Sequence, residues 1–141
     1  MFDITDRPLV WVPVKWPVLR PSEKEGETAV EHEVSIDIEV EIKDRDELVE
    51  LTSEMFGLDS AKAKEVEDLK PEEIIERSRA LEVTQFMTLV RNWRKFKAGG
   101  KPVEFTAENV RKLLAVPGFL TAFQTAYFNA CAGKVETRKG N

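Results

Sequence analysis

The chain has one cysteine and one histidine in 141 residues. Cys131 alone excludes an intrachain disulfide, and with His32 it cannot furnish a zinc site of the usual Cys/His kind. No apolar run approaches the ~20 residues that a bilayer-spanning helix needs. The opening MFDITDRPLVW lacks the basic-then-apolar order of a signal peptide, so the expectation is a soluble, intracellular protein. No glycine-rich phosphate loop is present, because Gly99 and Gly100 follow a helical pattern instead of opening one. Nucleophilic catalysis wants a Ser, Cys or Thr beside a base, yet His32 sits in an acidic stretch without a nucleophile nearby in sequence. The expectation is no enzyme, no cofactor and no metal.

What remains is enough for one domain. Hydrophobic residues make up 42% of the chain, which suffices for a core, and the 33% charged content is offset by apolar periodicity. The charge is unevenly placed. Residues 21 to 54 carry thirteen acidic side chains against three basic ones, while residues 91 to 112 carry seven basic against two acidic. The acidic front repels nucleic acid, and the two opposed blocks suit a molecule that meets copies of itself or a polarised partner.

From Val30 to Ile42 the apolar residues fall on even positions and the polar ones on odd positions, the signature of a half-buried strand. Val10, Val12, Val14, Trp16 and Val18 repeat the pattern across a polar loop. Pro13 and Pro17, four residues apart, lack their N–H groups on one edge only. The other edge is free to pair, which predicts a two-stranded antiparallel ribbon whose outer edge resists aggregation. Asp37, Glu39 and Glu41 read as its solvated face, and His32 as a partly buried filler on the even face.

Beyond Lys43 the period becomes helical. Asp44 and Glu47 resemble a capping box ahead of Leu48 and Leu51, with Gly57 as the stop. A short helix is expected over 60–68. A long one opens at Pro71 and runs to about Lys97, with Ile74, Ile75, Ser78, Leu81, Phe86, Leu89, Val90, Trp93 and Phe96 as its buried stripe. Arg94, Lys95 and Lys97 would then complement its C-terminal dipole. Thr106 caps a helix over Ala107–Val116, and an aromatic helix ends near Gly133. The fold class is α+β: a β-ribbon over residues 1–44, packed on or projecting from a bundle of four to five helices over 45–133, with a flexible tail over 134–141.

Taken together, the residues resemble the tail assembly chaperones of long-tailed bacteriophages. The match at the front is VWVPVKW, a polar loop and the alternating strand. At the back it is Trp93, Phe96, Gly100, Val103, Phe105 and Thr106, then Asn109, Leu113-Leu114, Pro117 and Ala126-Tyr127. The resemblance implies a non-enzymatic protein of the infected host's cytoplasm that coats the tape-measure protein, recruits tail-tube subunits and leaves before the virion is complete. The polar end at Arg138–Asn141 looks like the shorter of the two products such genes often make. The alternatives are a tail-completion or head-tail joining protein that stays in the virion, or an acidic mimic of nucleic acid built on Glu31 to Glu41.

Large aromatics and arginine anchor interfaces. Trp11 and Trp16 lie on opposite faces of the first strand, so at most one packs inward on the ribbon's own helices. The expected partner-binding residues are Trp11, Trp16, Arg91, Arg94 and Lys95, with self-association expected alongside.

Overall fold

The computed structural model describes residues 1–4, 7–26, 28–51 and 70–134. The expected helix over 60–68, the Gly57 stop and the tail from residue 135 lie outside them. Strand β1 (Leu9–Arg20) and strand β2 (Val30–Glu41) pair antiparallel along their whole length, with Val14 opposite Ile36 and Trp16 opposite Val34. Even positions therefore face even positions. Every β1 and β2 residue in the buried core is even-numbered: Val12, Val14, Trp16, Ile36, Ile38 and Val40. The same register makes the Ile42 N–H donate to the Pro8 carbonyl, so even residues of β1 bond to β2 and odd ones turn their backbone groups outward. Pro13 and Pro17 are odd. Their missing donors fall on the outer edge of a strand that has one neighbour among the described residues.

The ribbon gains a third strand. The helix expected to run to Lys97 ends at Leu89, and Val90–Arg94 continues as β3, antiparallel to β2 on its other side. The competing demand is backbone pairing. The odd residues of β2 face away from β1, and without β3 the buried Asp37 segment would leave its N–H and C=O groups unpaired. A register shift between Glu39 and Val40 then lets both Val90 and Trp93 point into the core. Helix α2 (Pro71–Leu89) accordingly has no basic residue in its last turn, and dipole complementarity does not explain Arg94 and Lys95. Its first half is also less buried than the stripe predicted, for Ile75 and Ser78 are exposed while Phe86 and Leu89 are buried.

Helix α1 is described over residues 45–51. Its capping box is reciprocal: the Glu47 N–H donates to Asp44 Oδ1 at 2.9 Å and the Asp44 N–H to Glu47 Oε1 at 3.3 Å. A two-residue hairpin, β4 (Lys97–Ala98) and β5 (Lys101–Pro102), turns through Gly99 and Gly100, both at positive φ. Thr106 caps α3 (Ala107–Leu114) by accepting from the Asn109 N–H at 3.2 Å. Pro117 and Gly118 separate it from α4 (Phe119–Cys131).

The aromatic residues of α4 are the centre of the core. Phe119 meets Trp16 edge-on at 5.0 Å between centroids, and Phe123 packs on Phe86 at 4.8 Å. A second knot closes the far side: Trp93, 5% exposed, lies against Phe96 and Phe105 and donates its indole N–H to the Val103 carbonyl at 2.8 Å. Trp93 is thus a core anchor of a strand, where a helix was expected. The architecture is α+β: an antiparallel sheet in the order β1-β2-β3 whose even face is sealed by helices.

Candidate functional site

The odd face of the sheet contributes no residue to that hydrophobic cluster, yet it is not a plain solvated row: Pro13 is buried there, opposite Asp37. Asp37, at the middle of β2, is 2% exposed. Its Oδ2 accepts from Arg94 Nε at 3.0 Å and lies 3.3 Å from Lys95 Nζ. The expectation that Asp37, Glu39 and Glu41 form a solvated face is therefore overturned for Asp37. A carboxylate can be buried there because two cations approach it, Arg94 at the end of β3, 57 residues away, and Lys95 just after it. Nothing local in sequence announces that pairing.

Arg94 has a second contact. Its guanidinium carbon stands 4.2 Å from the centroid of the Trp11 ring, within cation–π range. Asp37 thus fixes Arg94, and Arg94 stacks on Trp11 across the full width of the sheet. Lys95 follows the end of β3 with φ 61°, the one non-glycine residue at positive φ among the described residues, a conformation that L side chains seldom adopt. Arg91, three residues before Arg94, holds Glu41 Oε2 at 3.0 Å. The Glu41 carbonyl meanwhile accepts from the Tyr127 hydroxyl at 3.3 Å. Burial, and after it the neighbouring Cys131 thiol, push that phenol well above its ordinary range, so it stays a neutral donor.

The structure therefore gathers Trp11, Arg94 and Lys95 around Asp37 and sets Arg91 beside them on Glu41. Trp16 stands apart on the opposite face, 6% exposed and packed on Phe119. Arg91, Arg94 and Lys95 keep about half of their side-chain surface in solvent. His32 is exposed instead of half-buried, and Cys131 is half-buried. Among the described residues no group of His, Cys, Asp and Glu could hold a metal ion, and no helix is long and apolar enough to cross a membrane.

A family model described as phage tail assembly chaperone matches residues 26–141. The chain belongs to this family. Residues 1–25, which carry Trp11 and Trp16, lie outside the match, while Asp37, Arg91, Arg94 and Lys95 lie inside it. No curated protein and no solved structure matches the chain. As a phage tail assembly chaperone the molecule acts on protein partners in building the tail. The two charge blocks that favoured contact between copies turn out to be partly spent within one chain, through Asp37 with Arg94 and Lys95 and Glu41 with Arg91. The same pairs take Asp37 and Glu41 out of any row of acids that could imitate a phosphate backbone.

Proposed function

We propose that this chaperone works without catalysis in the cytoplasm of the infected bacterium, binding the tape-measure protein, keeping it soluble and recruiting tail-tube subunits, and that it is absent from the finished virion. The observation that carries this reading is the Trp11–Arg94–Asp37 cluster on a sheet face that adds no residue to the apolar core. An aromatic ring and a guanidinium pre-positioned by a buried carboxylate lose little side-chain freedom when a partner arrives. Both are residue types that dominate interface energetics. Tape-measure helices offer apolar stripes bordered by charge, which complement a ring flanked by Arg91, Arg94 and Lys95. Trp16 supports the surface from inside, by holding β1 on α4.

The test is co-expression with the tape-measure protein of the same phage. Wild-type chaperone should raise its soluble fraction and co-purify with it, and folded Trp11→Ala and Arg94→Gln variants should lose co-purification. Equal solubility with and without the chaperone, or unchanged capture by both variants, overturns the reading. Mass spectrometry of purified virions separates it from the virion-resident alternative, since a chaperone should be missing there.

A further inference from the structure

Arg94 has donors left over. Its Nε is bound to Asp37 Oδ2 at 3.0 Å and its guanidinium carbon stands over the Trp11 ring, while among the described residues neither Nη1 nor Nη2 has a hydrogen-bond partner. The side chain is 46% exposed. The end of an arginine presents two parallel N–H donors, the geometry that a carboxylate accepts through both of its oxygens. Asp37 engages the side of the guanidinium and leaves that fork open.

Charge points to the same ligand. Arg94 and Lys95 both approach one oxygen, Asp37 Oδ2, so two positive charges stand on one negative, whereas Arg91 and Glu41 cancel. At the neighbouring odd positions Lys15 adds a cation opposite Ser35, and Glu39 adds a carboxylate opposite Trp11 and Asn92 that holds no cation among the described residues. This end of the face therefore sets four cations against three carboxylates. The excess is local. Farther along β2 the same face carries Glu31 and Glu33, so a polyanion laid along the sheet meets repulsion that a single carboxylate at the fork avoids.

We propose that the Arg94 fork receives one aspartate or glutamate side chain of the bound partner helix while a large apolar residue one turn away lies against Trp11. Residues three or four apart on a helix stand ~5–6 Å from each other between Cβ atoms, which suits a ring and a guanidinium stacked at 4.2 Å. Asp37 is then a positioning residue: by holding Nε it aims the fork. The inference rests on the tape-measure reading and adds the charge and the spacing that the recognised helix must carry.

Synthetic peptides tiled along the helical stretches of the tape-measure protein of the same phage, titrated calorimetrically into the full-length chaperone, test it. Peptides that bind should contain an Asp or Glu whose replacement by Asn or Gln weakens binding about tenfold or more, as loss of a charge-assisted bidentate contact does. The replacement is made in the peptide, so the fold of the chaperone is untouched. Arg94→Lys keeps the positive charge and loses the fork, and in it the preference for acid over amide should shrink to about twofold or less. Glu39→Gln removes an anion beside the fork and should tighten binding. Four results overturn the proposal and leave the tape-measure reading standing: binding peptides with no sensitive carboxylate; an acid preference unchanged in Arg94→Lys; weaker binding by a folded Glu39→Gln; or capture of a single-stranded DNA oligonucleotide that depends on Arg94, which would assign the fork to phosphate. If the whole tape-measure protein is captured but no isolated peptide binds, the same acid-to-amide replacements made in that protein decide. Failure of the whole protein to bind overturns both readings.

Discussion

The two faces of the sheet are built from the same two strands by different chemistry. On the even face, Val12, Val14, Ile36, Ile38 and Val40 meet the aromatic residues of α4 and α2, and stability is spread over many non-directional contacts. On the odd face a few directional contacts are concentrated on Asp37: one ion-pair hydrogen bond, one nearby ammonium and one cation–π stack. The first arrangement can lose any one side chain and be weakened in proportion. The second depends on a single carboxylate, and in return it leaves an aromatic ring and a guanidinium at the surface in a set geometry. Mutations that damage each face differently put this contrast to the test.

The largest effect belongs to the core side. Trp93→Ala removes a buried ring from the Phe96–Phe105 knot and its hydrogen bond to Val103, and should cost about 3–5 kcal/mol in chemical denaturation. A loss below ~1 kcal/mol would mean that the knot repacks and that the even face is more tolerant than its density implies.

Asp37→Asn comes next. Losing the charge from a site with two cations should cost about 1.5–3 kcal/mol, the range for hydrogen bonds to charged groups. Trp11 fluorescence should report it too, since a released Arg94 leaves the ring. A variant as stable as wild type with unchanged fluorescence would break the comparison, because the odd face would then not rest on this residue. Trp11→Ala should cost less than either, about 0.5–1 kcal/mol for a half-buried stack on a half-exposed guanidinium plus modest area, while tape-measure capture is lost. Loss of binding at nearly full stability is the behaviour that separates a display surface from a core.

The even face was legible because period-2 alternation is a local signal, and both strands, their pairing and the blunted edge follow from it. The capping box at Asp44, the Thr106 cap and the aromatic final helix were legible for the same reason. What sequence missed is long-range. The residues 90–94 fit a helical stripe when read alone, and only the unpaired side of β2 makes them a strand. Asp37 looked like one more acid in a polar row, because its partners Arg94 and Lys95 come to it through that unforeseen strand. Of the candidate site, Trp11 and the three cations were named from residue type, while the carboxylates that hold them, Asp37 for Arg94 and Lys95 and Glu41 for Arg91, were not. Trp11 and Trp16 did split between faces as alternation requires, with Trp16 inside.

The smallest expected effects lie away from both faces, in exposed ion pairs that stitch the helices, and they calibrate how much charge alone contributes. Hydrogen bonding from the Glu47 backbone N–H, and then Arg7, hold the Asp44 carboxyl below its ordinary value of 3.8. The bidentate Arg111 guanidinium, at 2.6 and 2.8 Å, holds Glu76 below its ordinary 4.5. A carboxyl whose folded-state pKa is depressed binds fewer protons folded than unfolded. Its contribution is fully present above the unfolded value and is lost as pH falls through the folded one. Between pH 5 and 8 these two groups should therefore leave stability flat, with a decline only below about pH 4.5. Asp44→Asn and Glu76→Gln should each make that acid limb shallower in denaturant titrations run from pH 7 to pH 3, with Glu76→Gln acting from the higher pH. Both pairs face water, so added salt should shrink the difference further. If either variant instead lowers stability sharply and equally at every pH, its carboxylate is serving as packing, and the contrast between a dense face and a charge-organised one extends to the helices as well.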